Sequence, residues 1–186
     1  MMIEQTAENI EVLERIVEAE ATDQDIYGRM LVANVVINRV HSKYFKNTVK
    51  GVVFETIGGY EQFAPIRDGR YFTVPITEKT REAVRRVLAG EDYSDGALYF
   101  FQRDITTDKK AAWFDNNLKY LFKYGCHEFY TEFSEYNKKN KYESAMGTVL
   151  LLMKCVTKRT VPMAFRISQM TRTPPSPCHP CQLVMC

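Results

Sequence analysis

Cysteine, long apolar runs and net charge are all scarce in this chain, and each shortage removes a class of function. Of five cysteines only Cys126 precedes residue 144, so the main part of the chain cannot be an internally disulfide-stapled fold. No stretch reaches the roughly 18 consecutive apolar residues of a membrane span, and Val149–Met153 is far too short. The amino terminus, MMIEQTAENIEVLERI, is acidic where a signal peptide is basic, and no long apolar segment follows. A protein acting outside the cytoplasm would then need another exit. A formal net charge of +2, with no glycine-rich phosphate loop and no arginine stripe, argues against nucleic acid and anionic membranes as partners. GxSxG and HExxH are absent, and His41, His127 and His179 are scattered. Cys126-His127 is a poor nucleophile pair, because adjacent residues on a strand point to opposite faces. His127 reads instead as a satisfied structural histidine.

What is present describes one globular domain with an appendage, at 45% hydrophobic and 26% charged residues. Met1–Glu143 carries twenty basic and twenty-three acidic residues, whereas Ser144–Cys186 carries five basic and none acidic. The tail also holds four of the five cysteines and five of the seven prolines. Periodicity fades after Glu132, where Phe133–Tyr142 turns Lys/Asn-rich. The expected division is a folded domain over residues 1–135 and a basic, Cys/Pro/Met-rich tail over 136–186. Within the tail Cys178-His179-Pro180-Cys181 resembles half of a zinc site, but a second ligand pair at usable spacing is missing. The tail is therefore expected to be a disordered or non-native extension, such as a shifted reading frame would produce.

Ile16–Val40 organises the rest. With Asn9 as N-cap, a first helix aligns Ile10, Leu13, Ile16 and Val17 on one arc, and Glu20 falls inside it. Glu11, Glu14, Arg15 and Glu18 fall on the other side, so Glu18 is expected in solvent and Glu20 at the end of the buried stripe. After the polar turn Thr22-Asp23-Gln24-Asp25, a second helix from Ile26 to His41 is apolar nearly all round. Asn34 and Asn38 draw one polar line along it, serving either neighbouring backbone or a substrate. A short helix is expected over Val49–Glu55, then a Gly58-Gly59 turn. Tyr60–Phe72 reads as loop and short extended pieces, and Thr77–Ala89 as a helix stopped by Gly90. Ala97–Phe101 reads as a buried strand, and RDITTDKK as a polar loop.

A glutamate among apolar neighbours loses solvation when charged, so its pKa rises. It then holds a proton near neutral pH, as a general acid must. The alternative is a helix-end glutamate bonded to a backbone amide or to an arginine such as Arg39. Aromatic residues after the helix pair, interspersed with amides and acids, have the composition of a sugar-binding groove as well as of a core. Trp113, in AAWFDNN, is the least core-like of them.

The segments EAEATDQDIYGRMLVANVVINRV, FKNTVKGVVFE, QFAPIRDG, VLAGED, GALYF, AAWF and CHEFY occur in an order that resembles the spore cortex-lytic cell wall hydrolase family (SleB/CwlJ type). The resemblance runs from about Ile10 to Tyr130 and excludes the tail. It implies a lysozyme-like (lytic transglycosylase-like), mainly helical α+β fold, cutting peptidoglycan between N-acetylmuramic acid and N-acetylglucosamine. It also implies that the catalytic acid is the first glutamate of E-A-x-G-E, eight positions before a glycine. Counted back from Gly28, that residue is Glu20. Where the family has Gly-Glu this chain has Asp23-Gln24, so an amide replaces the second carboxylate. A transglycosylase needs no second carboxylate. A hydrolase would want one, and Asp68 is the candidate, with a turn role as its alternative. Asn38, Phe63, Asp68, Tyr99 and Trp113 are the expected substrate contacts, and no metal or cofactor is implied. Two other functions stay open: a glycan-binding or structural module of a spore or phage, and a small interaction protein working through its Cys/His tail.

Overall fold

A computed structural model describes residues 4–141; the tail's Cys/His cluster lies outside them. The first helix, α1, spans Ala7–Glu20 and is capped by Thr6, whose side chain accepts from the Asn9 amide, so the cap lies three residues before Asn9. Asp25 caps α2 (Ile26–His41) by accepting from the Gly28 amide. Val32, Ala33, Val35 and Val36 are wholly buried, as an apolar rod at the centre of the fold must be. Each of the three valines contributes about 1.5–3 kcal/mol by leaving water.

The short helix α3 spans Val49–Val53 and stops sooner than its sequence suggests. A two-stranded hairpin follows, β1 (Thr56–Ile57) and β2 (Tyr60–Glu61), turning through Gly58-Gly59. The stretch expected to be loop and extended pieces then folds into two small helices, α4 (Ala64–Asp68) and α5 (Arg70–Thr73). Gly69 turns the corner between them at φ +84°, a value that glycine adopts without strain. Thr77 caps α6 (Glu78–Leu88), which packs on α1 and α2.

The remaining elements are β3 (Tyr99–Phe101), a 3-10 turn at Arg103–Ile105, α7 (Asp108–Asn117), β4 (Lys119–Tyr124) and β5 (His127–Thr131). Most of the supposed loop RDITTDKK is therefore the 3-10 turn and the start of α7. The three strands form an antiparallel sheet in the order β3-β5-β4. Phe100 pairs with Phe129, and a register shift falls between Tyr120 and Phe122. Residues 133–141 continue as helix where the pattern had suggested the domain would end. The main core joins α1, α2, α3 and α6 to the inner face of the sheet. A second cluster gathers Phe101, Ala111, Phe114, Leu118 and Tyr130 between α7 and the sheet. No helix among the described residues is long and apolar enough to cross a membrane.

Candidate active site

Glu20 is the last residue of α1 and is wholly buried. Neither carboxyl oxygen has a hydrogen-bond partner among the described residues. Burial pushes its pKa well above the ordinary carboxylate value; the charge of Arg70 opposes that rise, Asp68 adds to it, and Arg39 opposes it. Its place at the carbonyl end of a helix also disfavours a negative charge. Burial thus favours the protonated form of Glu20, and no group among the described residues accepts a hydrogen bond from it.

Glu18, expected in solvent, is almost equally buried, at 1% exposure. Its surroundings are the reverse of those of Glu20. Arg29 Nη1 donates to Oε1 at 2.8 Å, while the Thr77 amide, the Thr77 hydroxyl and the Thr80 hydroxyl donate to Oε2 at 2.9, 2.6 and 2.6 Å. Burial alone would raise its pKa, but these donors outweigh it and hold the value at about 2. The physical reason lies in α6, whose capped amino end covers the side of α1 that a single-helix pattern assigns to water. The same Arg29 donates to the Gln24 and Thr22 carbonyls at 3.2 and 2.5 Å, locking the turn that leads into α2.

Arg39 was missed as a site residue, although an arginine inside VINRV is a signal in itself. It is wholly buried. Its guanidinium carbon lies 4.7, 5.1 and 5.4 Å from the ring centres of Phe45, Phe63 and Tyr99, a cage that favours a desolvated cation. Nε donates to the Leu98 carbonyl at 2.7 Å. Burial lowers its pKa to about 10, while the neighbouring acidic groups of Tyr99, Glu55 and Glu20 act to raise it, so it is cationic at neutral pH.

The cage accounts for two of the expected substrate contacts. Phe63 is wholly buried, so in this conformation its ring faces Arg39 and not a sugar. Tyr99 is half-buried and donates its hydroxyl to Glu132 at 2.7 Å. Asn38 donates to the Ser94 hydroxyl and the Ala97 carbonyl at 2.8 and 3.0 Å, the backbone role left open above, and Asn34 likewise donates to the Glu91 carbonyl at 2.9 Å. Asn38 also lines a hollow of about 240 Å³ with His41, Asp95 and Lys139, and Glu20 is not part of that lining. Trp113 is 52% exposed on α7, edge-on to Phe114, beside the second apolar cluster. Asp68 pairs with Arg70 and is the one expected contact whose charge reaches Glu20 directly.

Gln24, at the position where the resemblance implies a second glutamate, is buried and donates from Nε2 to Cys126 Sγ at 3.1 Å. A Cβ at Gly125 would fall 2.4 Å from its Oε1, and one at Gly28 would fall 2.7 Å from its Cβ. The amide thus ties the α1–α2 turn to the β4–β5 hairpin. His127 is buried on β5 against Phe100, and its Nε2 has no hydrogen-bond partner among the described residues. It is a core histidine with an unmet nitrogen, kept neutral because burial lowers its pKa to about 4. Among the described residues no group of His, Cys, Asp and Glu could hold a metal ion.

A cell wall hydrolase family profile matches residues 23–130, beginning three residues after Glu20. The spore cortex-lytic enzyme of Bacillus subtilis (strain 168) is 36% identical over 99 residues, 53% of this chain and 31% of that protein. The match therefore spans about a third of that relative. The cell wall hydrolase CwlJ of Halalkalibacterium halodurans is 31% identical over 109 residues, 55% of this chain and 73% of that one. Among solved structures, the catalytic domain of the germination-specific lytic transglycosylase SleB from Bacillus anthracis superposes with a TM-score of 0.58 at 31% identity, covering 68% of this chain and 96% of that domain. The SleB catalytic domain from Bacillus cereus gives 0.58 at 28% identity, covering 70% and 97%. The fold is thus the lysozyme-like, mainly helical α+β arrangement, and the chain belongs to the cell wall hydrolase family.

Proposed function

We propose that this chain cuts the glycan strand of peptidoglycan between N-acetylmuramic acid and N-acetylglucosamine, with Glu20 as acid and then base, in spore cortex lysis or related wall remodelling. The observation that carries the proposal is the Glu20 carboxyl, wholly buried, bonded to no group among the described residues and electrostatically biased towards its protonated form. The names of its relatives, spore cortex-lytic enzyme and lytic transglycosylase, support the substrate and the reaction class. Glu20 gives its proton to the glycosidic oxygen, and the bond from muramic C1 breaks with its electron pair leaving on that oxygen. The cation developing at C1 is then captured. In the transglycosylase route the C6 hydroxyl of the same sugar attacks and returns its proton to Glu20, giving a 1,6-anhydro end. In the muramidase route water attacks instead. The pairing of Asp68 with Arg70 favours the first route, in which no second carboxylate has to act on water. Because Glu20 is sealed in this conformation, the side chains over it must part for a glycan to reach it.

That sealing, with Gln24 in place of a glutamate, favours one second reading, a glycan-binding module with weak or no turnover. One experiment separates the two. The full chain is incubated with cortex and with vegetative peptidoglycan, and the fragments are read by mass spectrometry. Anhydro-muropeptides mark the transglycosylase, reducing ends mark the muramidase, and intact sacculi that retain protein mark the binding module. Glu20→Gln keeps the shape and removes the proton, so cleavage is expected to fall about 10²- to 10⁴-fold. Wild-type cleavage by that variant overturns the assignment.

A further inference from the structure

The corner between α4 and α5 is clasped onto the end of α1 at the peptide that leads into Glu20. Arg70 donates from its amide and from Nε to the two carboxyl oxygens of Asp68, both at 3.0 Å, and Nη2 also lies 3.0 Å from Oδ2. The remaining arm, Nη1, donates to the Ala19 carbonyl at 2.8 Å. That carbonyl is in the last turn of a helix, where the helix itself supplies no donor. The Asp68 and Arg70 side chains keep 38% and 34% of their surface, while Ala19 and Glu20 keep 1% and 0%. The corner therefore joins a solvent-touching ion pair to a sealed carboxyl.

We infer that Arg70 is a positioning residue for the proposed acid: it pins the last turn of α1 and supplies a positive charge against which the Glu20 carboxylate forms once its proton has left, while Asp68 fixes where that charge stands. The inference rests on Glu20 acting as proposed above. Three charged groups on packed elements bear on Glu20: Arg70 and Asp68 from the α4–α5 corner, and Arg39 from α2. Glu55, which follows α3, acts on Arg39, and Glu18 on the same helix is turned to Arg29, Thr77 and Thr80. Arg39 is enclosed in its aromatic cage, so the corner is the part of this field that a bound glycan can touch. Proton donation leaves one negative charge on Glu20 and none on the leaving oxygen. A fixed cation nearby stabilises that state more than the neutral one.

The test uses full-length Arg70→Gln, Arg70→Lys, Asp68→Asn and Glu20→Gln proteins. Glutamate labelled with carbon-13 at Cδ reports the Glu20 titration by NMR, assigned from the signal missing in Glu20→Gln, and the pH profile of kcat/KM is measured beside it. A general acid works while protonated, so activity falls on the alkaline side as Glu20 loses its proton. Arg70→Gln is expected to move both the titration and the alkaline limb to higher pH, and Asp68→Asn to move both lower. Arg70→Lys, which retains the charge, is expected to stay near wild type. Plateau kcat in Arg70→Gln is expected to fall roughly tenfold or more with little change in KM, as loss of positioning requires. A role in stability alone would not move the titration and the alkaline limb up in one variant and down in the other. With Glu20→Gln inactive, shifts of the same sign or none in Arg70→Gln and Asp68→Asn overturn the role of the corner, whereas wild-type cleavage by Glu20→Gln overturns the acid assignment beneath it.

Discussion

Glu18 and Glu20 lie two residues apart on α1, both out of solvent, and take up opposite protonation. The difference is the number of donors each meets among the described residues, four for Glu18 from Arg29, Thr77 and Thr80 and none for Glu20. Truncating Glu18 to Ala leaves Arg29 buried with its charge uncompensated, a loss expected to cost about 3–5 kcal/mol. Denaturant melts of Glu18→Ala at neutral pH check this, and a cost under about 1 kcal/mol would show the network to be ornamental. Glu20 was readable from the sequence because the apolar stripe of α1 runs into it. Glu18 was not, because helical periodicity records one helix's own faces. It has no knowledge of a partner helix that brings Thr77 and Thr80 to the polar side. Arg70 was hidden for a related reason: its role comes from the Ala19 carbonyl, fifty-one residues away in sequence.

The helices that announced themselves were those with both a period and a cap. The bounds of α2 follow from Asp25 and the apolar run after it, and those of α6 from Thr77 and Gly90. The pair α4 and α5 is too short to display a period, and Pro65 with Asp68-Gly69 reads as turn chemistry when met alone. In the structure Pro65 sits in the first turn of α4, where its missing amide costs nothing. Helix α7 buries only Ala111 and Phe114, too few positions to mark a face. Between elements, Gln24 makes the α1–α2 turn depend on the β4–β5 hairpin. Gly125→Ala would strain a backbone held at φ +56° and drive a methyl group into the Gln24 amide. A loss of about 1–3 kcal/mol is expected. Pairing it with Gln24→Ala should return the steric part and leave the backbone part, which a double-mutant cycle in urea will resolve. Strict additivity would mean that the turn and the hairpin are independent.

For the molecule as a whole, two buried groups set the response to acid. His127 has a folded pKa of about 4 against 6.5 for a free imidazole, so the unfolded chain takes up that proton first. Its contribution is fully present above pH 6.5 and is lost as pH falls towards 4, on the order of 3 kcal/mol. Glu18, at about 2 against 4.5, adds stability that is present above 4.5 and lost as pH falls from there towards 2. Glu20 has the opposite sign: its raised pKa gives a contribution present below 4.5 and lost as pH rises through the folded value. Urea midpoints measured across pH should therefore drop in two acid steps. The upper step should vanish in His127→Gln, and an unchanged upper step in that variant would assign it elsewhere.

The sheet order carries a consequence for how the molecule is made. β5 is synthesised last of the three strands yet lies in the middle, between β3 and β4. Until it leaves the ribosome, β3 has no strand to bond to, the Leu98 amide lacks the Tyr130 carbonyl that it meets in the finished sheet at 2.9 Å, and Gln24 has no Cys126 to hold. Domains otherwise fold from the amino end as they emerge, and here the helices can gather early around α2. The strand that carries Tyr99, one ring of the Arg39 cage, must wait. A nascent or prematurely terminated chain ending before His127 would lack its central strand, so an unfinished copy is disarmed by its own topology.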